Sequence, residues 1–463
     1  MIFIEKSIKS LFIFFCVALV IIISYLVYIQ VYLGESLAND SRNRRVAQKE
    51  SNFIRGRILD RNGEILAETN DEKERIYPRG DLFAHVIGYV DSIYGKSGLE
   101  AHFDGELLGL KGTKFHTRLL DRFFKRPTIG NDLVLTLDAR LQQVAYDALG
   151  DNKGAVVAIN PKSGEILACV SKPGFDPNIL QDEWSRLLKS DDAPFLNRAT
   201  QGLYPPGSSI KPVVAAAALE NKVITDSDRF LCDGREIING YEITCVEKEK
   251  HGEINLIQAM ALSCNITFAS IGASIGETRF YEYIKGFMLL DTFELPIPVK
   301  AGRLPPGGAE RADLIENSIG QGKVLATPLH MALIASTFAN NGVMMKPRLV
   351  SSVRSREGRR ITSYPSEVLN APVAPDVARK ISEMMIEVVR YGTGKRAQID
   401  GIIVAGKTGT AENPGGGDHA WFIGFAPAGN PEIAVAVVVE NGGYGGVLAA
   451  PIGRKVIIKA LSL

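Results

Sequence analysis

The stretch Y-P-P-G-S-S-I-K-P-V-V, Tyr204 to Val214, runs directly into A-A-A-A-L-E. Two prolines and a glycine end whatever element precedes it. Pro212 has no N–H to give and fits only the first turn of a helix, so a helix begins near Ser209. That helix has no polar face, which predicts a buried one. Ser208 and Lys211 then lie one turn apart at its N-terminal mouth. Free N–H groups and the positive end of the helix dipole favour an alkoxide or an oxyanion there. Lysine accepts a proton only when neutral, and burial or a second cation would lower its pKa. Taken alone, S-x-x-K fixes only two positions and is better read as an N-capping serine followed by a snorkelling lysine.

Two further stretches change that balance. Ser263-Cys264-Asn265 follows an apolar helical run and fits a loop or helix start that aims Ser263 and Asn265 into one cleft. A plain helix cap would read the same. Lys407-Thr408-Gly409-Thr410 lies in an apolar strand, where Gly409 would leave the strand face bare for a substrate backbone. The plain alternative is an edge strand guarded by a lysine. Each signal is weak by itself. In this order and these contexts, S-x-x-K, S-x-N and K-T-G form the side-chain set of a serine acyl-transfer enzyme.

The surrounding pattern predicts an α+β fold. Gly154 to Asn160 and Glu165 to Ser171 read as a hairpin, and Ile402 to Glu412, Ala420 to Ala426 and Ile433 to Glu440 as a three-stranded meander. Apolar helices are expected between them, at Pro212 to Leu219, Leu256 to Leu262 and Pro328 to Phe338, with a last one at Ile452 to Leu461. One antiparallel sheet, joined from two distant halves and covered by helices, accommodates all of these. Upstream, Asn62-Gly63 predicts a tight hairpin with both turn residues at positive φ. Leu11 to Leu33 carries no charge and is long enough to cross the ~30 Å hydrocarbon layer, as a retained anchor rather than a cleaved signal. The expected layout is a short tail at 1–10, an anchor at 11–33, a stalk and pedestal at 34–130 and a catalytic domain at 131–463. Lys6 and Lys9 precede the span and Arg42, Arg44 and Arg45 follow it, so local charge does not set its orientation.

The chain has 463 residues and a net charge of +1, which gives no support to a nucleic-acid role. Its five cysteines are scattered, with no C-x-x-C pair to suggest zinc or thioredoxin chemistry. His85, His102, His116, His251, His330 and His419 show no metal-ligand spacing and are read as structural, so no metal or organic cofactor is expected. Cys232 and Cys245 flank R-E-I-I-N-G-Y-E-I-T, a hairpin turning at Asn239-Gly240, and can face each other as a disulfide or as two reduced thiols. Nothing marks Cys264 as reactive.

With these motifs the sequence resembles the class B penicillin-binding proteins, membrane-anchored D,D-transpeptidases. The resemblance extends to H-A-W-F-I-G-F-A-P (His419 to Pro427) and I-G-Q-G-K-V-L-A-T-P-L-H-M-A (Ile319 to Ala332). It includes the pedestal stretches R-G-R-I-L-D-R-N-G-E-I-L-A (Arg55 to Ala67) and G-L-E-A-H-F-D-G-E-L-L-G (Gly98 to Gly109). It implies a transpeptidase fold of the serine β-lactamase type and cross-linking of D-Ala-D-Ala stem peptides, with β-lactams as covalent mimics. It also implies Ser208 as nucleophile, Lys211 as proton acceptor, Ser263 as proton shuttle and Lys407 as setter of the local potential. Asn265, Thr408, Gly409 and Thr410 would bind substrate, and the N–H groups of Ser208 and Thr410 would hold the oxyanion. The catalytic domain would lie outside the cytoplasm, beside a SEDS-family glycosyltransferase reached through anchor and pedestal. A β-lactam hydrolase or sensor, a D,D-carboxypeptidase and a non-catalytic scaffold remain open at this point.

Overall fold

The computed structural model describes residues 2–33, 53–111, 128–304, 311–413 and 415–462. The stalk at 34–51, with Arg42, Arg44 and Arg45, lies outside the described residues, as does His116.

Five strands form the central sheet: β1 (Gly154–Ile159), β2 (Ile166–Lys172), β3 (Ala405–Ala411), β4 (His419–Ala426) and β5 (Ile433–Val439). Their order is β2-β1-β5-β4-β3, and every neighbouring pair is antiparallel. The two halves meet as expected, with Val157 opposite Ala436 across β1 and β5. Both faces are covered, which is why β5 reads as an unbroken apolar run rather than an alternation. Ala434, Ala436 and Val438 enter one core, and Ile433, Val435, Val437 and Val439 the other, the period of two that a pleat imposes.

Six helices matter for the argument: α1 (Ala139–Leu149), α2 (Lys211–Glu220), α3 (Asn265–Ile275), α4 (Pro328–Ala339), α5 (Pro375–Arg390) and α6 (Ala449–Ala460). The amphipathic α1 starts at Asp138, whose carboxylate caps the N–H groups of Arg140 and Leu141. It packs with α6 on one face of the sheet. On the other face lies α4, which is buried along its whole length and accordingly lacks a polar side.

The pedestal departs from the expected layout. A second sheet runs Arg360–Ser363, Val350–Arg354, Asp132–Leu135, Ile58–Leu59, Ile65–Thr69, Arg75–Ile76 in spatial order. It crosses the boundary drawn at residue 130. Two-residue strands such as Ile58–Leu59 are too short to stand alone, so they are completed by strands from further along the chain. The Asn62-Gly63 turn also differs, since only Gly63 has positive φ (90°). Asp60 takes over instead, its carboxylate accepting from the N–H groups of Asn62 (2.7 Å) and Glu64 (2.8 Å). Asn239 and Gly240 do both take positive φ, 50° and 90°, between strands Arg235–Ile238 and Tyr241–Thr244.

Glu100 holds the pedestal together. Its carboxylate is fully buried, accepts from Arg55 Nε at 2.6 Å and from Arg75 Nε at 2.7 Å. Burial alone would raise this carboxyl, but Arg75 and Arg55 outweigh it and hold it below the usual range. Removing one partner strands the others in a low-dielectric site, so Glu100→Ala should cost about 3–5 kcal/mol. Denaturant unfolding of the pedestal measures this; a loss below about 1 kcal/mol would contradict the assignment.

At the N-terminal end, helix Ile2–Tyr28 continues into a short π-helical turn, Ile29–Leu33. Its Ile8–Tyr28 segment, 21 residues of mean hydropathy 2.9 with none of it buried, is long and apolar enough to cross a membrane.

Candidate active site

Strand β3 is the edge of the central sheet and carries Lys407, Thr408, Gly409 and Thr410. Against it sits a 3₁₀ turn, Gly207–Ile210, which holds Ser208 and passes directly into α2. The regular helix thus starts at Lys211, slightly later than Pro212 alone suggests.

The reason for Gly409 differs from the sequence expectation. A Cβ there would meet Pro206 O at 2.9 Å and Ser209 N at 3.0 Å. The reciprocal contact is at Gly207, where a Cβ would meet Thr410 O at 2.6 Å. The bare face of Gly409 is therefore filled by the nucleophile turn, not left open for a substrate. Gly409→Ala should cost about 1–3 kcal/mol through overpacking. It should also slow acylation of Ser208, read by denaturant unfolding and by adduct formation on the same sample; wild-type values for both would refute this packing role.

Side chains outside the turn hold it from behind. Trp421 Nε1 donates to Pro205 O (2.9 Å). Tyr204 OH donates to Glu440 Oε1 (2.6 Å), which also accepts from Arg198 Nε (2.8 Å).

Lys211, Ser263, Asn265 and Lys407 converge beside this turn. Both lysines are fully buried. Lys211 Nζ contacts Ser263 O (2.7 Å), Ser263 Oγ (3.2 Å) and Asn265 Oδ1 (2.8 Å). Lys407 Nζ contacts Ser263 Oγ (2.9 Å) and Thr408 O (2.8 Å). Ser263 Oγ is thus a bridge between two amines, held there by a left-handed backbone at φ 58°. Asn265 spends both ends of its amide, Oδ1 on Lys211 and Nδ2 on Thr244 O (3.0 Å). Ser208 is half-buried at the mouth, and no hydrogen bond of its Oγ to either lysine occurs among the described residues.

Burial pushes the Lys211 amine down to about 7. Lys407 is held well below the ordinary lysine range, by burial first and then by the charge of Lys211. Two buried ammonium groups on one hydroxyl disfavour each other, so the pair holds one proton more readily than two.

The strand threonines have partners that the sequence reading did not assign. Thr408 Oγ1 shares a hydrogen bond with Thr393 Oγ1 (2.6 Å). Gln321 Nε2 donates to Thr410 O (3.2 Å) while its Oε1 accepts from Glu412 N (2.9 Å). The available signal was a polar residue between glycines, Gly392-Thr393-Gly394 and Gly320-Gln321-Gly322.

The cysteines and His251 also depart from expectation. Cys232 Sγ and Cys245 Sγ are 3.6 Å apart and unbonded. Cys264 Sγ lies 3.7 Å from Cys245 Sγ, and His251 Nδ1 3.3 Å from Cys232 Sγ. Four atoms of metal-ligating type thus lie within 4.8 Å of one another, a grouping in space that the sequence spacing of His251 and the cysteines does not reveal. The folding of a hairpin onto the start of α3 makes the group, and no local spacing announces it. His330 is structural as expected: buried, with Nδ1 on Thr327 Oγ1 (2.7 Å) and Nε2 on Asp291 O (3.0 Å).

A serine at a helix mouth, two buried lysines on one shuttling hydroxyl and a K-T-G edge strand define a serine acyl-transfer site. Residues 154–458 match the penicillin binding protein transpeptidase domain, and residues 55–133 the penicillin binding protein A dimerisation domain. The chain belongs to the penicillin-binding protein transpeptidase family. It is 35% identical to the peptidoglycan D,D-transpeptidase PbpA of Mycolicibacterium smegmatis over 99% of both chains. It is 36% identical to the Mycobacterium tuberculosis PbpA over 93% of this chain and 94% of that one. The structure of M. tuberculosis penicillin-binding protein A as a ceftriaxone acyl-enzyme complex superposes with a TM-score of 0.85 at 34% identity, covering 89% of this chain and 99% of that one.

Proposed function

We propose that this chain is a serine D,D-transpeptidase that cross-links peptidoglycan. The observation that carries the reading is the Lys211–Ser263–Lys407 relay beside the Ser208 turn. Neutral Lys211 takes the proton of Ser208 Oγ as that oxygen attacks the carbonyl of the penultimate D-alanine. The oxyanion is met by the N–H groups of Ser208 and Thr410. As the C–N bond breaks, the proton passes through Ser263 Oγ to the departing D-alanine amine. A neighbouring stem-peptide amine then attacks the ester, returns its proton along the same path and restores Ser208. Asn265 orients the donor peptide with the second hydrogen of its Nδ2, Thr408 and Thr410 hold its carboxylate, and Gly409 serves by seating the nucleophile turn. A β-lactam enters as a donor mimic and stays bound.

Among the described residues no carboxylate hydrogen-bonds to Ser208, Lys211, Ser263 or Lys407. This favours slow deacylation over hydrolysis of the drug. The apolar helix is the membrane anchor, the domain after it lies outside the cytoplasm, and a SEDS-family glycosyltransferase is the partner reached through anchor and pedestal. Intact mass of the full chain in detergent, followed after adding benzylpenicillin, tests the reaction class. A persistent adduct supports the transpeptidase; an adduct that vanishes while drug is consumed means a hydrolase, and none in a folded protein means a scaffold. Co-purification of the glycosyltransferase with a chain lacking both anchor and pedestal would refute the partnership.

A further inference from the structure

We propose that Gln321 is a positioning residue for acyl transfer, and that Gly320 and Gln321 form a strut setting the spacing of the two N–H groups that meet the oxyanion. The inference rests on the reading of the Ser208 and Thr410 N–H groups as those donors. Gln321 acts through the backbone of the two segments that carry them.

The strut has a fixed base. Helix Arg311–Ile319 ends at Gly320, which takes φ 80°, the left-handed conformation that glycine supplies at helix ends. Gly320 N donates to Asn317 O (3.1 Å) and Gln321 N to Glu316 O (3.0 Å). Asn317 is buried, and its Oδ1 accepts from Val324 N (3.0 Å), which closes the loop that follows.

From this base one contact reaches each side of the site. Gly320 O accepts from the N–H of Gly207 (3.0 Å), the residue before the nucleophile. A Cβ on Gly320 would collide with Gly207 O, so glycine is needed there for space as well as for φ. On the other side the Gln321 amide grips β3. Its Nε2 donates to Thr410 O (3.2 Å) and its Oε1 accepts from Glu412 N (2.9 Å). It thereby spans Ala411 as one residue of an added parallel strand would.

In an antiparallel strand the N–H and C=O of a residue point to one side, and successive residues alternate. Thr410 O and Glu412 N on the open edge therefore bring the Thr410 N–H to that edge too, where Gly207 packs against the Thr410 backbone. This edge of β3 has no strand neighbour. Side chains take that place: Gln321 beyond Thr410, and Lys407 Nζ on Thr408 O (2.8 Å) before it.

Oxyanion donors act at about 2.7–3.1 Å from the developing charge. Two donors on separate segments need a fixed separation, and a misplacement of about 1 Å costs on the order of 10²-fold in rate. Ground-state binding makes no such demand, so loss of the strut should fall on bond formation.

The test is stopped-flow acylation of the full chain in detergent, over benzylpenicillin concentrations that separate the binding constant from the acylation rate constant. Gln321→Ala should lower the rate constant by about 10–100-fold and leave the binding constant within about twofold. Gln321→Glu is the same size and no threat to packing. It keeps the acceptor for Glu412 N but sets a second oxygen against Thr410 O, and should be slowed as much. An amidomethylboronic acid supplies an independent readout. Its boron takes the Ser208 oxygen as a fourth ligand, the serine proton passes to Lys211, and a tetrahedral anion rests between the two N–H groups. Its affinity should fall by the same factor as the rate. Glu412→Ala, which leaves that N–H in place, should acylate as wild type does. Wild-type rates in both Gln321 variants, an unchanged boronate affinity, or equal slowing in Glu412→Ala would overturn the strut. Failure of the transpeptidase reading shows separately, as a wild-type chain that forms no adduct.

Discussion

Ser208→Ala will form no covalent adduct with benzylpenicillin, while its unfolding transition stays within about 1 kcal/mol of wild type. Only the hydroxyl is removed, and it takes no part in the network that joins Lys211 and Lys407 through Ser263. The turn itself is kept by Trp421 on Pro205 and by the interlock of Gly207 with β3. Intact mass and denaturant unfolding on the same preparation separate chemistry from folding. An adduct of unchanged mass and stoichiometry in the alanine variant would move the nucleophile elsewhere, with Ser209 on the same turn the first place to look.

The second large effect concerns Lys211. With its pKa near 7, the neutral form that accepts the Ser208 proton dominates only above that value. The second-order rate constant for acylation should therefore rise with pH through about 7 and level off above it. Replacing the amine by a side chain of similar length, Lys211→Met, should lower acylation by about 10²–10⁴-fold. It should also remove the inflection, leaving a flat or differently placed profile. Stopped-flow acylation at a series of pH values measures both. Were the inflection to persist in Lys211→Met at the same pH, another group would own the titration, and Lys407, on the same hydroxyl, would be the candidate.

Much of this site is legible before any folding is considered. Pro212 fixes a helix start, and that start places Ser208 and Lys211 together. The apolar runs around Lys407 and at Ile433–Val439 announce strands buried on both faces. What escapes the sequence is contact made across long stretches of chain. Gly409 reads as open strand because nothing near it in sequence shows that Pro206 and Ser209 will occupy the space. Asp132–Leu135 and Val350–Arg354 look like parts of the catalytic domain until they pair with one another and Asp132–Leu135 pairs with Ile58–Leu59. The cysteines look scattered because their grouping depends on a hairpin closing over α3, and ligand spacing is diagnostic only when one local turn supplies the pair.

The strand order of the central sheet has a consequence in time. Synthesis delivers β1 and β2 by Lys172, but their sheet is completed only by strands that begin at Ala405. Throughout the interval, the edge of β1 destined for β5 stands unpaired and apolar, a template for mispairing with another chain. Closure over so long a separation is intrinsically slow. A chain interrupted before Ala405 would already possess Ser208, Lys211 and Ser263, yet lack both Lys407 and the strand against which the turn is seated. Such fragments would be inert and prone to associate, so the order of the strands makes reactivity the last property the chain acquires.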